Sequence, residues 1–178
     1  MECCPKEKLP QGRRADHGTV SDHETIGYVL IHPDHWDRRN NIPASAAFSK
    51  SKLKNTDLSI FRRELASCAQ IQDMVVDSYV RKAYQKPGSD GREFVGILLA
   101  CVAEIRSLRL HEDQARAICV LDDGYDGFES HGLLGFSDCV RDNGRWRSKS
   151  VLVAIRANLL ATFERRGVLQ LRQVFGET

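Results

Sequence analysis

Short β-prone apolar runs that end in turn-forming residues constrain this chain more than any other feature. The first run, at residues 28–31, stops at Pro33, and a proline favours an extended residue before it. Runs of this length and composition, separated by turn signals, predict strands. We predict six of them, near residues 28–31, 44–48, 58–61, 94–100, 117–121 and 132–136.

Two longer stretches carry apolar side chains at helical spacing. In residues 65–84 they recur near i, i+3, i+4 and i+8, at Ile71, Met74, Val75 and Tyr79, and in residues 150–165 they form a stripe before Gly167. Each helix and each strand has an apolar face to bury. The pattern therefore predicts an α+β fold, a mixed or antiparallel sheet covered by two main helices.

Length and composition predict a single domain. The chain has 178 residues, of which 42% are hydrophobic and 28% charged, and these values are typical of a globular protein. Residues 1–24 are polar and interrupted by proline and glycine, so we expect a flexible polar N-terminal arm before a domain at 25–178. The N-terminus lacks the apolar core of a signal peptide, so none is expected. The longest apolar stretch is about half of the ~20 residues that a membrane span needs, so no membrane association is expected.

Six cysteines occur without a C-x-x-C pair, which argues against a zinc ribbon. Cys101 and Cys119 lie in apolar runs, where a free cysteine behaves as a small buried hydrophobe. Cys3 and Cys4 are adjacent within the polar arm. We interpret the cysteines as reduced, which predicts a cytoplasmic protein.

The first predicted strand runs into a cluster of ionisable residues that includes His32, His35 and Asp37. Histidine is the commonest metal ligand and a natural general base near neutral pH. Pro33 opposes a helix here, so the two imidazoles do not share a helix face. A metal held by these three residues is therefore less favoured than a hydrogen-bonded loop or a histidine used in catalysis or binding.

Two further segments offer groups for catalysis. Ser45 lies among small residues that allow a ligand to approach the backbone, and its hydroxyl can donate to an anion, although no G-x-S-x-G elbow surrounds it. His131 follows an Asp-Gly-rich loop that begins at Asp122, and such loops are more often turns than metal sites. We predict that His32, Ser45 and His131 form one catalytic cleft.

Basic residues provide a candidate phosphate site. Arg62 and Arg63 are predicted to clamp a phosphate, and a lysine-rich loop at residues 49–57 precedes them. Lysine and arginine at this density also allow nucleic-acid binding, although a solvated loop is the simpler interpretation. Neither the G-x-x-x-x-G-K-[ST] loop nor the G-x-G-x-x-G pattern is present, which disfavours the corresponding nucleotide enzymes. The identity of any cofactor stays open.

The succession IHP, SAAF and LS, followed by an acidic loop and His131, resembles a pattern in small bacterial proteins of unknown function. The resemblance covers residues 28–135. It implies a bacterial or phage-borne cytoplasmic protein, and it transfers no catalytic residue.

Two functions therefore stay open from the sequence. The first is an enzyme or small-ligand binder whose His, Ser and Arg side chains recognise a phosphate-bearing ligand. The alternative is a non-catalytic protein-interaction module of a bacterial toxin–antitoxin or phage-defence system, in which the lysine loop and the last helix contact a protein partner. Nucleic-acid binding through the basic residues is a third hypothesis.

Overall fold

A five-stranded antiparallel sheet forms the centre of the protein. The computed structural model describes residues 3–8, 19–44, 47–78, 91–110 and 114–176. The sheet has the order β5-β1-β4-β7-β6. Its strands are β1 (Thr25–His32), β4 (Leu58–Arg62), β5 (Glu93–Cys101), β6 (Ile118–Asp122) and β7 (His131–Phe136). Two-residue ladders pair β2 (Trp36–Asp37) with β3 (Ile42–Pro43) and β8 (Arg141–Asp142) with β9 (Arg145–Trp146).

Helices cover both faces of this sheet, as the predicted α+β class requires. They are α1 (Lys50–Asn55), α2 (Cys68–Ile71), a π-helix continuing α2 (Gln72–Asp77), α3 (Val102–Arg106), α4 (Lys149–Glu164) and α5 (Leu171–Phe175). Short 3₁₀ helices span Pro5–Lys8 and Asp138–Val140. The predicted α+β fold is confirmed, and of the two sheet types that the sequence left open, mixed or antiparallel, the sheet is antiparallel.

Alternation along the strands divides the apolar side chains between two cores. Tyr28 and Leu30 of β1 lie in the larger core, with α4 packed over them through side chains such as Leu159. Val29 and Ile31 lie in the second core, which α2, the π-helix and α5 cover. Successive side chains on a strand point to opposite faces, so both faces of this sheet are buried.

The segment before β4 differs from the prediction. Within the predicted loop at residues 49–57, Lys50–Asn55 form α1, because Leu53 is fully buried in the larger core and Thr56 ends the helix in the left-handed conformation. The predicted strand at 44–48 does not form in its described part, since Ala47 and Phe48 lie in a turn. Ala47 and Phe48 are nevertheless buried.

The predicted helix at 65–84 is present in its first half. It comprises α2 and the π-helix that follows, with Ser67 accepting a hydrogen bond from the backbone N–H of Gln70 at the start. Residues 79–84 lie outside the described residues. The last predicted helix, at 150–165, corresponds closely to α4, whose Ser148 side chain accepts from the N–H of Val151.

The cysteines correct the reduced-thiol interpretation. Disulfides join Cys3 to Cys139 and Cys4 to Cys119, across 136 and 115 residues of sequence. Cys68 and Cys101 are free. The pairing could not be inferred from spacing, because the partners meet only when the N-terminal segment packs on β6.

The described parts of residues 1–24 make several contacts with the domain. The Glu7 carboxylate accepts from the backbone N–H of Val120 at 2.6 Å and pairs with Arg106 at 3.1 Å and with Arg116. Val20 is buried in the larger core. Residues 3–8 and 19–24 therefore pack on the sheet, and the flexible arm stays a prediction for residues 9–18, outside the described residues.

Within the described part of the chain, no helix is both long and apolar enough to cross a bilayer.

Candidate active site

A cavity of about 240 Å³ opens where β1 and β4 separate. β1 pairs with β5 along its whole length, but with β4 only at Ile26 and Gly27. The ring of Phe61 occupies the space beside Gly27, where a Cβ would lie 2.1 Å from the Cζ of Phe61. Beyond this contact the strands diverge and leave a gap through the sheet. Polar side chains line this gap, from Tyr28, His35, Lys52, Ser59, Ser78, Tyr125 and His131.

His35 closes the free edge of β1. Its Nδ1 lies 3.1 Å from the carbonyl oxygen of Val29 and 3.3 Å from the backbone nitrogen of Ile31. These backbone groups lie on the side of β1 where the pairing with β4 has ended. The imidazole therefore takes the place of a neighbouring strand, and its Nδ1 is engaged while Nε2 is left for other contacts.

The environment of His35 favours its neutral form. Burial, followed by the positive charge of Lys52, lowers the pKa of His35 below its ordinary value of 6.5, although Asp34 and the Val29 carbonyl act in the opposite direction. Both leading causes disfavour the imidazolium. In the tautomer in which Nδ1–H donates to the Val29 carbonyl, Nε2 has the free electron pair that a general base requires. In the other tautomer Nδ1 accepts from the Ile31 N–H, and Nε2 carries the proton.

His131 lies on β7 beside the same cavity and is oriented by Asp123. Its Nδ1 lies 3.0 Å from Oδ2 of Asp123 and 3.1 Å from the carbonyl oxygen of the same residue. Both partners accept hydrogen bonds, so Nδ1 carries a proton and Nε2 is left for other contacts. The carboxylate also compensates the positive charge when Nε2 is protonated.

The loop between β6 and β7 gives Asp123 and His131 this arrangement. The N–H of Asp123 donates to the carbonyl of His131 at 3.1 Å, so the hairpin is closed at its base. At its tip, Tyr125 and Phe128 form a β-bridge around Gly127, whose φ of 82° lies in the left-handed region. The predicted turn in the Asp-Gly-rich loop is present.

Two aromatic rings of this hairpin pack against His131. The ring centroid of Tyr125 lies 5.6 Å from that of His131 and the centroid of Phe128 lies 5.4 Å from it. Phe128 is buried, whereas Tyr125 is 37% exposed. The mouth of the cavity beside His131 is therefore aromatic and partly open to solvent.

Lys52 and Ser59 complete the polar lining. Lys52 comes from α1, and within the described residues it forms no ion pair with a carboxylate. Ser59 is the exposed position of β4, whose other residues are buried. Ser59 pairs with Leu133 while Phe61 pairs with His131, so Ser59 is diagonal to His131 on one face of the sheet. An ammonium and a hydroxyl thus lie at a cavity that holds two imidazoles.

The predicted catalytic residues are only partly brought together. His131 lines the cavity, but His32 is not among the described residues that do, because its Nδ1 contacts the carbonyl oxygen of Trp36 at 3.0 Å in the turn after β1. His35, three residues later, occupies the position expected for His32. Ser45 lies outside the described residues.

The two arginines predicted to bind phosphate contact other groups. Arg62 is buried between two carboxylates, donating to Glu24 at 2.6 and 2.8 Å and to Asp122 at 3.0 Å. Arg63 donates to the carbonyl of Val174 at 3.1 and 3.3 Å and lies over the ring of Phe175. Both guanidinium groups hold the fold together, and neither lines the cavity.

Potential metal ligands are also clustered elsewhere. Among the described residues, Cys4, Glu7 and Cys119 bring their ligand atoms within 4.8 Å of one another. The two sulfurs are bonded to each other, so neither is a thiolate ligand.

Several site residues were assigned other roles by the sequence pattern. It places His35 in a possible metal set, Lys52 in a solvated loop and Asp123 in a turn. A useful signal was the single polar residue Ser59 inside an apolar strand, since it marks a strand face that is not fully buried.

No protein-family model, curated protein or solved structure was found to match this chain.

Proposed function

We propose that the cavity between β1 and β4 binds a phosphate ester and catalyses acid–base chemistry on it with His35 and His131. One observation supports this proposal above all others. Two imidazoles line one cavity, and the Nδ1 of each contacts a protein group, which leaves both Nε2 atoms for a ligand.

In this proposal His35 is the general base. Burial and the charge of Lys52 favour its neutral form. The proposal uses the tautomer in which Nδ1–H donates to the Val29 carbonyl, 3.1 Å away. Nε2 then takes a proton from the attacking hydroxyl group or water. General base catalysis requires this uncharged form of the imidazole.

His131 is the general acid. It gives the Nε2 proton to the leaving oxygen, and Asp123 compensates the charge of the imidazolium before that transfer. Lys52 stabilises the negative charge that develops on the phosphate oxygens, which is the commonest large electrostatic contribution to such reactions. Ser59 provides a hydroxyl donor on the side of His131.

The proposal is tested with bis(p-nitrophenyl) phosphate, a chromogenic phosphodiester, and with inorganic phosphate. We expect His35→Ala to reduce the rate by ~10²–10⁴-fold and His131→Ala to reduce it less, because p-nitrophenolate leaves with little help from a general acid. His32→Ala is the matched control, because this histidine lies three residues from His35 and outside the cavity lining; it should keep the rate. Phosphate should shift the NMR signals of the His35 and His131 imidazoles and leave those of His32 in place.

Loss of activity in His32→Ala alone, or no response of either cavity histidine to phosphate, would reject the site. Each variant is first checked for an unchanged circular dichroism spectrum, so that misfolding is separated from lost chemistry.

Of the partners predicted from the sequence, the geometry favours a phosphate-bearing ligand. The cytoplasmic location stays a prediction, and the two disulfides favour an oxidising compartment instead.

A further inference from the structure

We propose that the substrate is single-stranded RNA and that its own 2′-hydroxyl is the nucleophile. The inference rests on the proposed phosphate-ester function and adds the substrate class. It depends on the aromatic mouth of the cavity beside His131 and on the division of the polar lining between a base and an acid.

Tyr125 provides a stacking surface next to the acid. Among the described residues with an exposed large apolar side chain, it is the only aromatic one. Its ring meets Phe128 edge-on, with centroids 5.8 Å apart, which holds the ring in place. Single-stranded RNA is bound by stacking of unpaired bases on aromatic side chains.

The hairpin that carries Tyr125 is fixed to the rest of the protein. The side-chain amide of Gln70 in α2 donates to the carbonyl of Gly127 at 3.0 Å. The backbone N–H of Phe128 donates to the carbonyl of Tyr125 at 2.8 Å. A base stacked on Tyr125 would therefore have its ribose and phosphate held at a defined distance from His131.

The reaction balances with the groups at the site. Nε2 of His35 takes the proton of the 2′-hydroxyl as the 2′-oxygen forms a bond to phosphorus. The bond from phosphorus to the 5′-oxygen breaks, and Nε2 of His131 gives that oxygen a proton. The products are a 2′,3′-cyclic phosphate and a free 5′-hydroxyl, with no oxidant, reductant or further reactant.

Ser59 is, with Ser78, one of the two serines in the described lining whose hydroxyl could compete as the nucleophile. It lies diagonal to His131, on the side of the acid, and not on β1 beside His35. The base therefore comes from the turn after β1 and not from the strand that holds this hydroxyl. We assign Ser59 to a hydrogen bond with a phosphate oxygen.

The test compares one oligonucleotide sequence as RNA, as DNA and as RNA with a single 2′-deoxy residue. The protein should cleave RNA to cyclic-phosphate ends and cleave DNA at least ~10²-fold more slowly, because the nucleophile is missing. Tyr125→Ala should reduce RNA cleavage by roughly tenfold through lost stacking, with Tyr125→Phe as the control that keeps it.

Two groups of results would contradict the proposals, one the RNA inference alone and the other both proposals. Equal cleavage of RNA and DNA, activity on the small diester without activity on RNA, or a phosphorylated Ser59 found by mass spectrometry would overturn the RNA inference while the phosphate-ester function stands. No phosphate response at His35 and His131 and no cleavage of any diester would overturn both.

Discussion

Oδ2 of Asp123 lies 3.0 Å from Nδ1 of His131, and the backbone carbonyl of the same aspartate lies 3.1 Å from that nitrogen. One residue therefore provides both a neutral and a charged acceptor to the imidazole. The carbonyl is sufficient to hold the ring and its tautomer, whereas only the carboxylate compensates a positive charge. These two contributions can be separated by substitution.

Asp123→Asn should lower phosphodiester cleavage by roughly tenfold to a hundredfold, less than the loss in His131→Ala, because the backbone carbonyl still orients the ring. The measurement is kcat against pH for the variant and for Asp126→Asn, an exposed aspartate of the same hairpin. Asp126→Asn should retain the wild-type rate. If Asp123→Asn is as inactive as His131→Ala, the carboxylate and not the backbone carbonyl holds the ring in place.

The lowered pKa of His35 predicts a pH-dependent stability. In the unfolded chain this histidine takes up a proton as the pH falls through about 6.5. In the folded protein its pKa is lower, so protonation requires a lower pH. The free energy of unfolding should therefore decrease as the pH falls from about 6.5 toward the lower folded pKa, by up to about 1.4 kcal/mol for one pH unit. Lys52 and Arg92 act in the same direction as burial, and Asp34 opposes them.

Urea denaturation of the wild type, His35→Gln and His32→Gln at about pH 7.5 and about pH 5.5 measures this effect. His35→Gln should lose less stability on acidification than the wild type does. The His32→Gln variant should retain the wild-type pH dependence. If His35→Gln loses as much stability on acidification as the wild type does, the pH dependence comes from a group other than His35.

Removal of Arg62 should destabilise the fold far more than removal of its neighbour Arg63. The side chain of Arg62 is 5% exposed and neutralises Glu24 and Asp122. Burial alone would lower the pKa of Arg62, but hydrogen bonds and charges from Glu24 and Asp122 raise it. Arg62→Met should cost about 3–5 kcal/mol, since two carboxylates are left buried without a cation.

Arg63→Met is the matched control, and we expect it to cost about 1 kcal/mol, because only hydrogen bonds to one carbonyl and a ring contact are lost. The measurement is the urea midpoint at constant pH. The triple variant Arg62→Met, Glu24→Gln, Asp122→Asn should recover part of the loss, because the buried charges are removed together. Equal losses in the two arginine variants would contradict a buried ionic role for Arg62.

The disulfide pairing predicts the number of reactive thiols. Without reductant, the denatured protein should show two, from Cys68 and Cys101, and after reduction it should show six. The double variant Cys4→Ser, Cys119→Ser should lose about 2–5 kcal/mol of stability in non-reducing buffer. Under reducing conditions the same variant should differ little from the wild type. Six thiols without reductant would restore the reduced interpretation.

Most of the sheet could be predicted because its strands are local features. The apolar runs near 28–31, 58–61, 94–100, 117–121 and 132–136 each coincide with an observed strand. The apolar stripe of α4 could be predicted for the same reason. Prediction was wrong where burial decided the conformation: α1 forms in a lysine-rich stretch because one leucine at its centre reaches the core.

The candidate site was only partly predictable, since His32 and His35 are equivalent in the sequence pattern. Their separation depends on where the pairing of β1 with β4 ends, which leaves the backbone at Val29 and Ile31 without a strand and draws His35 to it. Arg62 is a similar case. Its partners Glu24 and Asp122 are 38 and 60 residues away, so no local pattern shows that its charge is used internally.

The sequence by itself determined the class of fold, the positions of most strands and the long terminal helix, because periodicity and turn residues act within a few positions. Tertiary structure alone decided which histidine shares the cavity with His131, which cation lines that cavity and which cysteines are joined. Those outcomes depend on groups from distant segments that meet only after both faces of the sheet are covered. The spacing of residues within one segment does not show which side chains of a distant segment will bury it, pair with it or compensate its charge.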